Sequence, residues 1–193
     1  MSHNRSKVNC TFYEKIGACR HGEKCSRKHI KPRTSKTIMC PNLYQNPELN
    51  DALKSKLKKE QIDDLFNKFY EDLFIECSLL GAQVEDIVVC ENANDHLNGN
   101  VYIKFATESS TDKILQNFNT RWYNDRPVYC ELSPVRNFNQ SVCKQHFMGK
   151  CDRGDMCNFM HSKRPSEGLF EGLYLSQAKY LMSQGKWVDK RRH

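Results

Sequence analysis

Six cysteines and two histidines are laid out in one pattern twice over. Near the start the order is Cys10, Cys19, Cys25, His29, with eight, five and three residues between successive members. Near the end it is Cys143, Cys151, Cys157, His161, with seven, five and three. Three thiolates and one imidazole are the donor set of a closed tetrahedral zinc site that leaves no position for a substrate. The residues around the donors agree as well. Gly17-Ala18-Cys19-Arg20-His21-Gly22 parallels Gly149-Lys150-Cys151-Asp152-Arg153-Gly154, and Cys25-Ser26-Arg27-Lys28-His29 parallels Cys157-Asn158-Phe159-Met160-His161. The chain reads as two CCCH zinc fingers, over 8–31 and 142–163, holding two Zn2+, one per finger. So few residues bury little core, so metal binding would supply most of each finger's folding free energy.

Cys40, Cys77, Cys90 and Cys130 sit among apolar neighbours and read as buried small hydrophobes. Ten cysteines also suit a disulfide scaffold, but the chain opens on polar and basic residues without an apolar secretory stretch. Zinc in a reducing compartment is the better fit. There is no run of 18 apolar residues, so no membrane span is expected.

The formal net charge of +7 is unevenly spread. Residues 1–36 carry ten Lys/Arg against two acids, residues 37–133 nine against sixteen, and residues 134–193 eleven against five. Basic ends around an acidic centre imply two partners: a polyanion for the fingers and a basic protein for the middle.

The elements that position the fingers are legible between them. Thr37 to Tyr44 reads as a strand, and 45–59 as a polar, lysine-rich loop. Ile62, Leu65, Phe66, Phe69, Tyr70, Leu73, Phe74 and Cys77 recur at three-four spacing on one helix face. Val84 to Cys90 and Asn100 to Phe105 read as strands, 107–118 as a second helix with Ile114, Leu115 and Phe118 inward, and Arg126 to Leu132 as a fourth strand. This is a βαββαβ, ferredoxin-like α+β domain over 37–133, the arrangement of RNA-recognition motifs. Residues 166–186 suggest an amphipathic C-terminal helix (Leu169, Phe170, Leu173, Tyr174, Leu181) weakened by Gly168 and Gly172, followed by Trp187 and the basic Lys190-Arg191-Arg192.

RNA-recognition motifs stack bases on aromatics of the first and third strands. Here Met39 and Asn100 occupy platform positions, and Tyr102 alone leaves stacking open. Each lost stack forfeits about 1–3 kcal/mol, and an acidic domain repels phosphate. The middle is therefore expected to bind single-stranded RNA poorly. Trp122, in the polar stretch Asn119 to Asn124, has two readings: a cover for a core edge, or an exposed aromatic hook beside an acidic helix, suited to a tryptophan flanked by Arg or Lys.

The chain resembles the small subunits of the U2 auxiliary factor, a pre-mRNA splicing factor. The resemblance runs from residue 8 to about 165. It rests on Lys7-Val8-Asn9-Cys10, Lys15-Ile16-Gly17-Ala18-Cys19-Arg20-His21-Gly22, Asp95-His96-Leu97, Gly99-Asn100-Val101-Tyr102, Arg121-Trp122-Tyr123, Glu131-Leu132-Ser133-Pro134-Val135 and Cys157-Asn158-Phe159-Met160-His161. It implies a nuclear, non-catalytic splicing subunit whose central domain is a U2AF homology motif (UHM) binding a tryptophan-bearing peptide of the large subunit. Arg121 and Tyr123 would hold that tryptophan, Trp122 would insert into the partner, and Asp72 and Glu76, four apart on one helix face, would pair with the peptide's basic flank. The family's third motif residue is usually phenylalanine; Tyr123 keeps the ring. The fingers would read the AG dinucleotide of the 3′ splice site, through Phe12, Arg20, Ser26 and Arg27 in the first and Gln145, Arg153 and Phe159 in the second. Phe12 and Phe159 have a competing reading, as covers for their zinc sites. The Arg/Ser-rich or Gly-rich tail of many relatives is not seen here.

Strand order 4-1-3-2 would set the start of strand one beside the end of strand four. Tethers of about seven residues (30–36) and about ten (133–142) reach at most roughly 25–35 Å, so both fingers should arrive at one edge and form a composite RNA site. Two other readings are weaker. Decay-type CCCH proteins set their fingers close in tandem, and an enzyme would need a donor to spare or a Cys with a nearby His or Asn. His21, His96 and His146 are lone histidines without such a partner.

Overall fold

The apolar runs of the three central strands dictate a sheet buried on both sides. Residues 8–189 are described by the structure, a computed structural model. The basic end at 190–192, and Lys7, lie outside the described residues. The elements are α1 (Thr11–Ile16), β1 (Thr37–Cys40), α2 (Asp51–Lys54), α3 (Lys59–Leu79), β2 (Val84–Cys90), β3 (Val101–Phe105), α4 (Glu108–Phe118), β4 (Trp122–Tyr123), β5 (Arg126–Pro127), β6 (Glu131–Leu132), α5 (Lys144–Phe147), β7 (Ser162–Lys163) and α6 (Glu167–Ser183). The antiparallel sheet runs β6-β1-β3-β2-β7, so the expected order 4-1-3-2 is present with one further strand at the β2 edge.

Successive strand residues point to opposite faces. Ile38, Cys40, Ile87, Val89, Val101, Ile103 and Phe105 face α3 and α4 and meet Phe66, Tyr70, Phe74, Ile114 and Phe118 in the main core. Met39, Val88, Cys90 and Tyr102 face the other way, into a second core with Ile16, Leu97, Val135, Phe138 and Met160.

Helix α3 forms on the predicted apolar face, but Leu65 is exposed; at 3.6 residues per turn it stands roughly 100° from the middle of that face. The Gln61 side chain accepts from Lys58 N–H at the helix start, and Thr107 Oγ1 accepts from Ser110 N–H at the start of α4. The stretch expected as a loop contains α2 and a short 3-10 turn, Pro47–Leu49, each begun by an asparagine side chain, Asn50 and Asn46.

The expected fourth strand is broken in two. Asn124 and Asp125 both have positive φ (48° and 59°) and turn β5 back onto β4, as a two-residue hairpin requires. Pro127 offers no N–H to a ladder. Only Glu131 and Leu132 join the main sheet, and the Asn119 side chain takes both backbone groups of Cys130 instead (2.8 and 3.1 Å).

Helix α6 is continuous through Gly168 and Gly172, packs on α3 and buries Leu173 and Leu181. Gln177, between them, donates to Val84 C=O (3.0 Å) and accepts from Val84 N–H (2.7 Å), completing the backbone pairing of β2 with a side chain. Phe170, expected inward, is partly exposed and meets the Tyr174 ring at a tilt of 38°.

Candidate zinc, nucleic-acid and partner sites

The four donors of each finger lie within 4.8 Å of one another. The sulfurs of Cys10 and Cys19 are 3.8 Å apart, those of Cys19 and Cys25 3.9 Å, and those of Cys143 and Cys151 3.7 Å. A tetrahedron with Zn–S bonds of about 2.3 Å has edges of about 3.8 Å, so the donor sets fit zinc. His161 Nε2 is buried without a hydrogen-bond partner. Burial, then His146 and Arg153, depress the His161 pKa to about 4, which keeps the imidazole a neutral donor. Burial pushes the Cys19 and Cys157 thiols up to about 11, so a bound cation is what ionises them.

Both fingers are built alike beyond their donors. Cys10 N–H donates to Lys28 C=O (2.9 Å) and Cys143 N–H to Met160 C=O (2.8 Å), tying the first donor to the residue before the histidine. The third residue after the first cysteine stacks on that histidine in each: Tyr13 on His29 (4.5 Å between centroids) and His146 on His161 (4.0 Å). His146 is steadied in turn by Glu91, 2.8 Å from its Nε2.

Both fingers sit over the second face of the sheet. Finger one lowers Ile16 onto it, and Gly17, at φ +74°, brings its backbone so close that a Cβ would lie 2.8 Å from Ser133 Oγ and 3.0 Å from Tyr102. The linker from β6 carries Val135 and Phe138 across the same face, and finger two adds Met160. Finger two then leaves by the far edge, where β7 pairs with β2. The fingers meet over the face of the sheet, where beside one edge was expected, because the otherwise polar 133–142 tether is pinned down by Val135 and Phe138, which pack onto that face. Lys15 C=O accepts from Ser141, the Arg20 guanidinium donates through Nε to Asn158 Oδ1 (2.9 Å), and through Nη2 to Met156 C=O (2.9 Å).

Tyr102 is thereby fully buried, and the open stacking position expected there does not exist. Met39 and Asn100 are buried too, and the Asn100 side chain accepts from Asn42 N–H and donates to His96 C=O.

Among the residues expected at RNA, Phe12 and Arg20 line a narrow cleft where the fingers meet, with His21, His96 and Asn158. Phe12 is 43% exposed, so part of its ring faces solvent at the cleft. Phe159 is half-buried against the second core, with the Arg153 guanidinium 5.8 Å from its ring centre, so covering is its visible role. Ser26, Arg27, Gln145 and Arg153 are exposed on their fingers without lining the cleft.

The residues expected at a protein partner gather at one groove of about 320 Å³ between α3 and the β4–β5 hairpin. Asp72, Glu76, Arg121, Trp122 and Tyr123 line it, over a floor that includes Phe69, Phe118 and Val128. Arg121 pairs with Glu76 (3.1 Å), and the Tyr123 hydroxyl donates to Asp72 (3.2 Å). Burial, then Asp72, pushes the Tyr123 phenol up to about 12, so it stays a donor. Trp122 is 70% exposed, so it does not cover a core edge.

Several functional residues were not legible. Asn92 and Asn94, in the loop read only as polar, hold finger two: Asn92 donates to Phe159 C=O and accepts from His161 N–H, and Asn94 donates to Cys157 C=O. No periodicity marks such a loop. Phe147, 73% exposed on finger two, is a second outward ring, with the Arg164 guanidinium 5.6 Å from its centre. The covered sheet face did have a signal, since Ile87 to Cys90 and Val101 to Ile103 are continuously apolar, the mark of strands buried on both sides.

The family described as zinc finger C-x8-C-x5-C-x3-H type (and similar) matches residues 6–31 and 138–163. Over 177 residues the chain is 52% identical to the splicing factor U2AF 23 kDa subunit of Schizosaccharomyces pombe, covering 92% of this chain and 81% of that protein. It is 46% identical to the splicing factor U2af 38 kDa subunit of Drosophila melanogaster, covering 88% and 67%. Against the splicing factor U2AF 26 kDa subunit of Homo sapiens the identity is 42%, covering 88% and 79%.

Proposed function

The chain belongs to the family of small subunits of the splicing factor U2AF, and from that premise we propose a division of labour between its two surfaces. It is a non-catalytic nuclear subunit that reads the AG dinucleotide of the 3′ splice site with its paired fingers. Its acidic central domain grips a tryptophan-bearing peptide of the large subunit. The observation that carries this reading is the burial of Met39, Asn100 and Tyr102 beneath the fingers. Bases have no platform on the sheet, and basic, aromatic surface is offered by the fingers.

Phe12, with its free ring, is the stacking residue; His96, Asn158 and His21 supply polar edges around it. His96 is held below its ordinary pKa by burial, and next by Arg20, so it meets a base as a neutral imidazole. Ser26, Arg27, Gln145 and Arg153, exposed on the fingers, contact backbone or neighbouring bases. Arg20 is a positioning residue, since both bonds of its guanidinium run to finger two. At the other surface Arg121 and Tyr123 hold the incoming ring, Asp72 and Glu76 attract its basic flank, and Trp122 reaches into the partner.

The test is quantitative binding of AG and non-AG oligoribonucleotides by the full chain, with and without a basic tryptophan peptide, beside the Asp72→Lys/Glu76→Lys variant. The expected result is an AG preference retained by the variant, with peptide affinity at least about tenfold weaker. Peptide binding unchanged in the variant, or RNA protecting Tyr102 in place of Phe12, would refute the reading.

A further inference from the structure

Two sulfurs outside the zinc sites face each other where the sheet ends. The register of β1 on β6 pairs Ile38 with Leu132 and Met39 with Glu131, so the next rung sets Cys40 opposite Cys130. Antiparallel rungs alternate between hydrogen-bonded and non-hydrogen-bonded pairs. Ser133 N–H donates to Thr37 C=O (2.9 Å), which makes that pair a hydrogen-bonded one and places Cys40 and Cys130 three rungs on, at the opposite kind. The backbone of Cys130 agrees: its N–H and C=O both turn away from β1 to the Asn119 side chain. At such a rung the Cα atoms are about 4.5 Å apart and side chains are closest, inside the roughly 4.4–6.8 Å span of a disulfide. The two Sγ atoms are in contact at 2.6 Å.

We propose that Cys40 and Cys130 are a reversible dithiol–disulfide couple, an oxidation site separate from the zinc sulfurs. The two members differ as attacking and resolving thiols should. Cys130 is half-buried and reachable from solvent, whereas Cys40 is wholly buried, with burial pushing its thiol well up. With glutathione disulfide as oxidant, the Cys130 thiolate attacks one glutathione sulfur, forming a mixed disulfide and releasing one glutathione thiolate. Cys40, deprotonated as it attacks, then displaces the second glutathione from Cys130 Sγ. Two protein thiols and one glutathione disulfide become one protein disulfide and two glutathione thiols, so atoms and electrons balance. The six finger sulfurs are withdrawn from this exchange when coordinated. Cys77 is the competitor to exclude, being buried in the same core cluster as Cys40.

The experiment uses the full chain loaded with zinc, equilibrated in buffers of graded glutathione/glutathione disulfide ratio, alkylated, digested and read by mass spectrometry with zinc content measured alongside. The expected result is a single linked peptide pair, Cys40 with Cys130, forming with two zincs retained and lost on adding dithiothreitol. In Cys40→Ala the reaction should stop at a glutathione adduct on Cys130. A wild-type chain that stops at that adduct, a Cys77–Cys130 link in either protein, or zinc release before the pair oxidises would each overturn the proposal.

Discussion

Replacing Arg20 by alanine separates a residue that touches RNA from one that holds the reading surface together. Its guanidinium makes two bonds of 2.9 Å, to Asn158 Oδ1 and Met156 C=O, and both acceptors belong to finger two. A net intramolecular hydrogen bond contributes about 0.5–1.5 kcal/mol. At an exposed position the pair together is on the order of 1–2 kcal/mol, or about 5–30-fold in RNA affinity when the fingers act as one preorganised site. Asn158→Ala removes one of the two bonds, about half the cost of Arg20→Ala, and adds the loss of its own polar contact in the cleft. In the double variant the effects should fall short of additive by about 0.5–1 kcal/mol, since both substitutions remove the same bond. The assay is fluorescence anisotropy with a short AG-containing oligoribonucleotide, repeated over a salt series for all four proteins. A residue that bridges fingers leaves the salt slope unchanged. A residue that neutralises a phosphate reduces it by about 0.7 for single-stranded RNA. Additive losses together with a reduced slope would refute the bridging role and return Arg20 to the list of direct contacts.

Trp122→Ala should leave folding stability within about 0.5 kcal/mol, because the ring is mostly in solvent. It should weaken the tryptophan-peptide complex by about 2 kcal/mol or more, checked by calorimetry beside a urea titration. Gly17→Val places a branched side chain at φ +74° against Ser133 and Tyr102, and should cost about 2–4 kcal/mol, read as a lower urea midpoint and as new hydrogen exchange at finger one. An unchanged midpoint would mean that finger one does not rest on the sheet in solution. Even before zinc is bound, burial, then His146 and Arg153, hold the folded His161 imidazole at a pKa of about 4, against about 6.5 in an unfolded finger, and coordination of zinc opposes protonation in the same direction. The unfolded state therefore binds more protons in that window, so this contribution is present in full above about pH 6.5 and is lost as the pH falls towards 4. Exchange of the His161 amide, which donates to Asn92, should quicken across that window once corrected for the intrinsic rate; a flat profile from pH 7 to 5 would count against it.

Local spacing was enough to declare the two donor sets, α3 and the βαββαβ order of elements, and the strand order followed from that arrangement. Zinc ligands must converge within one short segment, a helix face repeats every three to four residues, and a strand alternates, so each leaves its mark in contiguous sequence. The groove residues were reachable through the Arg121-Trp122-Tyr123 motif, again a contiguous signal. What lies on top of the sheet was not legible in that way. Gly17 against Tyr102, Arg20 against Asn158 and Asn92 against His161 are contacts between segments far apart along the chain. Nothing periodic links such partners; they meet because Val135 and Phe138 pull the tether after β6 across the sheet instead of letting it skirt the edge. Tertiary packing therefore decided that Tyr102 is core and not platform, that Arg20 faces a neighbouring finger, and that Cys40 and Cys130 share a rung. Composition had named the donors and the charges; only the burial of the sheet's second face determined which of the remaining side chains are left free to meet RNA.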